Sequence, residues 1–301
     1  MSDTKNRSNK WLIFSLLVVV LFGVWGAFID IPEKNGFPAT LGYVVWSITM
    51  IPAALVALRI NRWKLDKDKT TLLFGFAAGL LGAAGQLLLF EVMRHAPAYL
   101  VFPLIALTPV VTVMMALIIL KEKSGFIGWF GIILSLIAGF LLSYNPGDDQ
   151  ISTDKSWIWM ALIVMAAWGI QGFVLKVGNN KTSAESIFTY MAASALLLSP
   201  VAILMTNFDE PINWSFNGPG YSAIIQILNS FGALCIVYAF RYGKAIVVSP
   251  VTTALPPVAT VMISLAITHT IPHIYAIAGI ILAVVSAALI GIDESKNQTL
   301  S

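Results

Sequence analysis

The sequence predicts an all-α polytopic membrane protein in which ten transmembrane helices form two inverted five-helix repeats. Three observations predict this fold: an apolar composition, ten apolar segments with unevenly placed basic residues between them, and a match between the two halves of the chain. Of the 301 residues, 58% are hydrophobic and 11% are charged, whereas soluble domains carry about 25% charged residues. Only helices and closed barrels satisfy their backbone hydrogen bonds in lipid. The apolar runs lack the alternation of barrel strands, so helices are predicted.

Ten apolar segments follow one another along the chain. A helix needs about 20 apolar residues to cross a hydrocarbon core of about 30 Å. The first segment is longer than the apolar core of roughly 7–15 residues in a signal peptide, so we expect it to be retained. The predicted spans are 11–30, 38–58, 71–92, 98–120, 125–144, 156–176, 184–205, 219–240, 245–268 and 273–292.

Basic residues are distributed unevenly between the two sides that these spans define. Of the 18 Lys and Arg residues, three lie on one side, namely Lys34, Arg94 and Lys155, and the other fifteen lie on the side of the N-terminus. Loops rich in Lys and Arg stay in the cytoplasm. Both termini are therefore predicted to be cytoplasmic, with the protein in the cell membrane, and the count favours an even number of spans.

The two halves of the chain match at a shift of 147 residues, which becomes 148 after one inserted residue. The matched pairs include Leu81 with Leu228, Gly85 with Gly232, Arg94 with Arg241, Ala98 with Ala245, Pro103 with Pro250, Thr112 with Thr260 and Met114 with Met262. Trp25-Gly26 and Trp168-Gly169 pair the first and sixth spans more weakly. Because each half has an odd number of spans, the second must be inverted relative to the first. Inverted repeats recur in secondary transporters, whose sites lie near the midplane between the halves.

The repeat divides the chain into five predicted parts and leaves no room for a soluble domain. These are a cytoplasmic tail, the first repeat, an extracytoplasmic linker, the second repeat and a second cytoplasmic tail, over 1–10, 11–144, 145–155, 156–292 and 293–301. The function is therefore expected to lie within the membrane-spanning helices.

The fourth and ninth spans are proline-bearing twins without an acidic or basic side chain. We expect each span to be kinked, and hypothesise that the bends are hinges of alternating access. The hydroxyls of threonines beside the prolines are expected to donate hydrogen bonds to the main-chain carbonyls that the kinks leave without a partner. The candidate hinge residues are Pro103, Pro109, Pro250, Pro256 and Pro257.

The fifth and tenth spans carry a small residue at every fourth position. Such stripes let helices approach closely in lipid. Packing within one chain and a homodimer seam are the two interpretations, so the protein is expected to be a monomer or a homodimer. The stripes are Gly131, Ser135, Gly139 and Ser143, and Gly279, Ala283, Ala287 and Gly291.

Short motifs occur along the chain, namely Trp25-Gly26, Pro103 with Thr108-Pro109, and Leu120-Lys121-Glu122 followed by Gly125, Gly128 and Gly131. With these motifs, residues 11–292 resemble the drug/metabolite transporter superfamily, in its ten-span EamA-like branch. In that family the fourth and ninth spans end in a Gly-Glu-like motif. Glu122 fits it, but the second copy, Ile267-Thr268-His269-Thr270, has no acid. The resemblance implies an alternating-access transporter of small metabolites, with a cavity lined by spans 1–4 and 6–9 and with spans 5 and 10 peripheral.

The ionisable candidates lie at the ends of spans rather than at their centres. A charge at mid-membrane costs about 2.5–3.5 kcal/mol on insertion scales, so such groups are usually functional. Asp30, Glu91 and Arg94 lie at the outer ends, and Glu91 and Arg94 are spaced to pair on one helical face. They are interpreted either as an outer gate or coupling site, or as interfacial ion pairs. Lys176 is either an interfacial anchor or an anion-attracting group at the inner mouth.

Uncharged polar and aromatic residues lie deeper in the spans. The amides of Gln86, Gln171, Gln226 and Asn229 need partners in lipid, so they either bind a polar solute or join helices. Trp25 and Trp168 lie too deep to be interfacial anchors and are candidates for the cavity wall, as are Trp46, Phe90, Tyr99 and Tyr238. The candidate substrate-binding residues are Trp25, Gln86, Trp168, Gln171 and Asn229.

No cofactor, metal or nucleic acid is predicted to bind. His269 and His273 have a spacing that can hold a metal, but Pro272 and the lack of a nearby acid disfavour a site. An intramembrane enzyme is disfavoured because no span carries a catalytic group of acidic, His and Ser residues, so the protein is predicted not to be an enzyme. A channel would more typically show a ring of charge or a filter loop. The predicted function is therefore secondary-active transport of a small organic solute across the bilayer, with a proton or a counter-solute as open alternatives for coupling.

Overall fold

The computed structural model describes residues 10–95, 98–144, 156–268 and 273–299. Each of the ten predicted spans is helical, and no strand occurs in these four ranges. The predicted linker 145–155, most of the N-terminal tail and His269 lie outside them. The helices are α1 (Lys10–Phe28), α2 (Ala39–Ile60), α3 (Lys69–His95), α4 (Ala98–Ile105, Thr108–Met115 and a π-helical turn Ala116–Leu120), α5 (Phe126–Ser143), α6 (Ser156–Asn179), α7 (Ala184–Leu197, continued by Ser199–Leu204), α8 (Tyr221–Tyr242, preceded by a π-helical turn Phe216–Gly220), α9 (Ala245–Thr268) and α10 (Ile274–Thr299).

Eight of these helices are long and apolar enough to cross a membrane. The other two are shorter apolar helices, Thr108–Leu120 in α4 and Phe126–Leu142 in α5. At the C-terminal end, α10 continues to Thr299, so most of the predicted tail 293–301 is helical. The chain is a multi-pass membrane protein.

The proline twins differ in structure, contrary to the expectation of two similar kinks. α4 is interrupted at Ala106 and Leu107 and restarts with Pro109 in its first turn. N–H groups in the first turn have no acceptor within the helix, so proline costs no hydrogen bond there. By contrast, α9 runs as one helix through Pro250, Pro256 and Pro257. The break therefore belongs to the first copy alone.

Eight helices form a closed ring in the order α1, α9, α4, α6, α3, α7, α2 and α8, each packed on the next. If each helix of the first repeat is exchanged with its equivalent in the second (α1 with α6, α2 with α7, α3 with α8 and α4 with α9), the same ring results. The two five-helix repeats are therefore related by a pseudo-two-fold axis. α5 and α10 lie outside the ring, packed on each other and against α4 and α9. The peripheral place of the fifth and tenth spans is thereby confirmed.

Gly131 and Gly279 of the small-residue stripes pack at the α5–α10 interface, whereas Gly139 lies against Ala106 of α4. A Cβ added at Gly131 would lie 2.8 Å from Cγ1 of Ile290, and one added at Gly279 would lie 2.8 Å from Cγ of Leu142. Early residues of α5 thus meet late residues of α10, which makes the pair antiparallel. Packing within one chain is confirmed as the use of these stripes, although Gly291 has nothing within 4 Å of an added Cβ.

The first and sixth helices correspond, but one helical turn away from the pairing expected from Trp25-Gly26 and Trp168-Gly169. Thr260 on α9 donates to the carbonyl of Gly23 (3.0 Å), as Thr112 on α4 donates to that of Gly169 (2.8 Å). The repeat therefore superposes Phe22-Gly-x-x-Gly26 on Trp168-Gly-x-x-Gly172, and Trp25 corresponds to Gln171. Ring positions agree, since Phe22 lies against Gly232 and Trp168 against Gly85, the matched glycines of α8 and α3.

One end of the ring is filled by apolar side chains, and the other is not. We call the first the basic end, because α1 begins there and Arg59, Lys176 and Lys244 lie there. The largest buried cluster joins all eight ring helices at this end and includes Met50, Phe188, Tyr238, Phe240 and Ile246. At the opposite end, smaller separate clusters join only neighbouring helices, such as Leu89, Val101 and Val164 on α3, α4 and α6. The bundle is thus sealed at its basic end.

Candidate functional site

Two polar groups related by the pseudo-two-fold axis lie between the ends of the ring. In the first, the indole Nε1 of Trp25 on α1 donates to Oε1 of Gln226 on α8 at 3.0 Å. Gln226 is 6% exposed, so this bond satisfies a buried amide. Asn229 lies one turn further along α8. The structure therefore brings Trp25 and Asn229 to the same α1–α8 interface.

The second group lies at the α3–α6 interface on the other side of the ring. Trp168 Nε1 donates to the carbonyl of Gly82 at 3.2 Å. The amide of Gln171 lies so close to Gly82 that an added Cβ would be 2.3 Å from its Nε2, which explains why glycine stands there. Gln86 follows one turn later on α3. The structure thus brings Trp168 and Gln171 together against α3, one turn before Gln86.

Three of these amides lack a hydrogen-bond partner among the described residues. The half-buried side chains of Gln86, Gln171 and Asn229 make no hydrogen bond with any residue that the structure describes. The indole N–H of Trp46, which stacks edge-on against Tyr43 at 5.2 Å, is likewise buried without an acceptor. An unpaired amide in an apolar medium costs about 1–3 kcal/mol. Water or a polar solute would remove this cost, so the arrangement suits a binding cavity rather than a set of locks between helices.

The charged candidates at the opposite end form local ion pairs. Glu91 bonds Arg94 at 3.2 Å and also His95 at 3.0 Å, a partner that the sequence did not suggest. Asp30 pairs with Lys34 one turn along. No ion pair or hydrogen bond in the four described ranges joins Asp30 to Glu91. Their geometry is that of interfacial pairs at the rim, and the gate or coupling role stays a prediction.

At the basic end, side chains of α6 hold the end of α8. The ammonium of Lys176 donates to the main-chain carbonyls of Gly243 (2.6 Å) and Phe240 (3.3 Å). Nδ2 of Asn179 donates to the carbonyl of Val237 at 3.0 Å. Carbonyls at a helix C-terminus lack partners within the helix and attract cations. We call this set of contacts the cross-helix latch.

Two further buried interactions at this end were not foreseen. The hydroxyl of Tyr238 donates to Oε1 of Glu185 at 2.7 Å, and Glu185 is 8% exposed although it lies in the first turn of α7. Glu122, the acid of the family motif, accepts a bond from the backbone N–H of Ile246 at 3.0 Å. Glu122 thus caps the start of α9, where the helix dipole favours a negative charge.

The threonines near the prolines differ in the carbonyls that they bond, and Thr253 makes no hydrogen bond with the described residues. Thr108 donates to the carbonyl of Ile105 (2.6 Å), which Pro109 leaves without its usual helical partner, so the expectation is confirmed there. Thr252 donates to the carbonyl of Val248 (2.8 Å) in its own helix, but this is not one of the carbonyls that the prolines of α9 free. Thr112 and Thr260 instead bond carbonyls of α6 and α1. The expectation is wrong for Thr112 and Thr260. Each of them lies on a helix that passes close to a glycine of the neighbouring helix, and the main-chain carbonyl of that glycine is therefore within reach of the threonine hydroxyl.

No group of three or more potential metal ligands occurs among the described residues. His273 is exposed and stacks on Tyr275 at 4.9 Å. His269 lies outside the described residues, so its pairing with His273 stays unexamined by the structure.

Comparisons with known proteins agree with this architecture. The profile of the EamA-like transporter family matches residues 9–144 and 155–292, once for each repeat. An uncharacterized protein of Methanocaldococcus jannaschii, MJ1333.1, is 31% identical over 135 residues, which cover 44% of this chain and 96% of that protein. A solved structure titled only "Crystal structure of protein" superposes with a TM-score of 0.73 at 13% identity, covering 94% of this chain and 98% of that one. The last likeness supports the fold alone.

Proposed function

The chain belongs to the EamA-like transporter family, and from that premise we propose that it is a secondary-active transporter of a small organic solute. Its cavity lies between the α1–α8 and α3–α6 interfaces, and transport proceeds by alternating access. The protein lies in the cell membrane with both termini in the cytoplasm, which makes the basic end the cytoplasmic end. The rim of Asp30, Glu91 and Arg94 then faces outward.

The observation that carries this proposal is a break in the pseudo-two-fold symmetry. α6 packs on α8 at the basic end, where the cross-helix latch joins them. The equivalent helices α1 and α3 make no comparable contact in the described part of the chain. An inverted repeat that closes one end and opens the other is half of an alternating-access cycle, and exchange of the two arrangements gives the other half.

The lining favours a solute that combines polar and apolar parts. The amides of Gln86, Gln171 and Asn229 donate and accept hydrogen bonds, while the indoles of Trp25 and Trp168 present apolar faces. No ionised side chain lies among these five residues. A neutral or zwitterionic metabolite suits such a lining better than a strongly charged one.

Purified protein in liposomes tests the proposal directly. A growth screen of a deletion strain first selects solutes, and counterflow of each labelled solute is then measured. We expect saturable counterflow in the wild type. Gln171→Leu or Asn229→Leu should each reduce it at least about tenfold, because each removes an amide whose hydrogen bonds to the solute are worth about 1.5 kcal/mol. The matched control is Asn180→Leu, an exposed residue just beyond α6. Linear, non-saturating flux would show a channel and overturn the proposal.

A further inference from the structure

We propose that the basic end carries a binding site for a phosphate group, separate from the transport cavity. The site is a cavity of about 410 Å³ lined by Lys10, Asn179, Arg241 and Tyr242, at the point where α1 begins and α6 and α8 end. It does not depend on the proposed function, because its lining includes none of the candidate substrate-binding residues.

Arg241 has no anionic partner among the described residues. Its Nη1 is buried and has no hydrogen-bond partner, and none of the ion pairs between described residues includes it. A guanidinium nitrogen left unpaired in a buried place is costly, since bonds to charged groups are worth about 1.5–3 kcal/mol. An anion in the cavity would supply the missing partner.

The internal repeat explains why Arg241 lacks a partner. Arg241 is the repeat equivalent of Arg94, which bonds Glu91 three residues earlier. The residue three positions before Arg241 is Tyr238, and its hydroxyl bonds Glu185 rather than Arg241. The second copy has therefore kept the arginine and replaced its carboxylate, which frees the guanidinium for another ligand.

Two other groups give the cavity its chemical preference. The ammonium of Lys10 lies over the ring of Tyr242, 5.3 Å from its centroid, and makes no ion pair with a described residue, so the cavity holds a second cation. Asn179 is 9% exposed and uses its Nδ2 for two carbonyls, but its Oδ1 is buried without a donor. The ligand must therefore offer negative oxygens to two cations and one hydrogen to an amide oxygen.

A phosphate or phosphomonoester group meets both requirements. Its oxygens accept from Arg and Lys, and in its monoanionic form, which is populated around its second pKa of about 6, it also carries an O–H that can donate to Asn179 Oδ1. The cavity is much larger than one phosphate, so it has room for a substituent. Both a soluble phosphate and the headgroup of phosphatidic acid carry this chemistry, and basic pockets on the cytoplasmic side of membrane proteins bind lipid headgroups.

The full-length protein in phosphatidylcholine nanodiscs, in phosphate-free buffer, allows a direct test. Inorganic phosphate should raise the midpoint of thermal unfolding saturably, whereas sulfate at equal ionic strength, which carries no proton, should raise it far less. Arg241→Gln and Lys10→Gln should each weaken phosphate binding about tenfold or more. Lys10 lies over the face of Tyr242 at the start of α1 and is the variant to rely on if Arg241→Gln does not fold. Arg59→Gln, an exposed arginine at the same end, is the matched control.

A second set of nanodiscs containing phosphatidic acid distinguishes the two sources. Stabilisation without free phosphate, lost in Lys10→Gln, supports the site with a headgroup as its ligand, and an effect of free phosphate alone supports it with a soluble ligand. The proposal is overturned if neither arm gives a saturable shift, if sulfate matches phosphate, or if both variants bind as the wild type does. None of these outcomes depends on transport.

Discussion

The hydroxyl of Thr112 donates a hydrogen bond to the main-chain carbonyl of Gly169, 2.8 Å away across the α4–α6 interface. Thr260 repeats this bond to Gly23 across the α9–α1 interface at 3.0 Å. Both threonines bond a glycine that begins a Gly-x-x-Gly sequence, and the missing Cβ atoms let the helices approach this closely. The two bonds are thus the same device used once in each repeat.

We predict that Thr112→Val and Thr260→Val each lower the free energy of unfolding by about 0.6 kcal/mol, the average worth of such bonds between membrane helices. Because the two bonds join different pairs of helices and share no partner, the double variant should lose the sum of both effects. Reversible unfolding in mixed micelles measures these differences. Thr253→Val is the control, since Thr253 makes no hydrogen bond with the described residues; an equal loss there would contradict the prediction.

The seam between α5 and α10 gives a second pair of matched variants. A Cβ at Gly131 would approach Ile290 Cγ1 to 2.8 Å and the carbonyl of Ser286 to 3.1 Å, so Gly131→Ala should cost about 1–3 kcal/mol of stability through overpacking. Gly291 has open space around it, so Gly291→Ala should be neutral or stabilise by up to about 1 kcal/mol. The same unfolding assay separates them. Equal effects would show that the two helices do not pack as described.

The sequence predicted the features that depend on hydrophobicity, charge counts and repeated small residues. The ten helices, the two repeats and the α5–α10 seam are of this kind, because each depends on many residues at once. The residue-by-residue correspondence between α1 and α6 was predicted from one dipeptide, Trp-Gly. The shared Gly-x-x-Gly spacing, Gly23 and Gly26 in α1 and Gly169 and Gly172 in α6, was the better signal. A short identical match is weaker than a pattern that several helix contacts require.

The interactions at the basic end could not be predicted from the sequence. Lys176 and Asn179 bond main-chain carbonyls, and any residue type can supply such an acceptor. Their spacing of three residues at the end of a span is the only available signal. Glu185 lies in the first turn of its helix, a position typical of an exposed acid, and only the approach of Tyr238 on another helix makes it buried.

The cross-helix latch leads to a prediction about conformation. Lys176→Met keeps an apolar side chain of similar length but removes both bonds to α8, so the basic end should open more often. A cysteine at Val237, which is fully buried, in a Cys235→Ser background reports this opening. We expect labelling of this cysteine by a soluble maleimide to rise several-fold, because the closed arrangement loses about 1–2 kcal/mol of hydrogen bonding.

Lys181→Met is the control for this experiment. Lys181 is exposed and lies over the ring of Phe74 at 5.2 Å, without a bond to α8. Unchanged labelling in Lys176→Met, or the same rise in both variants, would show that the latch does not hold this end closed.

The last prediction concerns Glu122, whose carboxylate accepts a bond from the N–H of Ile246 at 3.0 Å. Glu122→Gln keeps an acceptor but loses the charge that opposes the dipole of α9, and should cost about 0.3–1 kcal/mol of stability. Glu122→Ala loses both and should cost about 1–2 kcal/mol. If Glu122 serves only this cap, transport per folded molecule in liposomes should follow stability, with Gln close to the wild type. A loss of transport in Glu122→Gln without a loss of stability would contradict the capping role and mark the charge itself as part of the transport cycle.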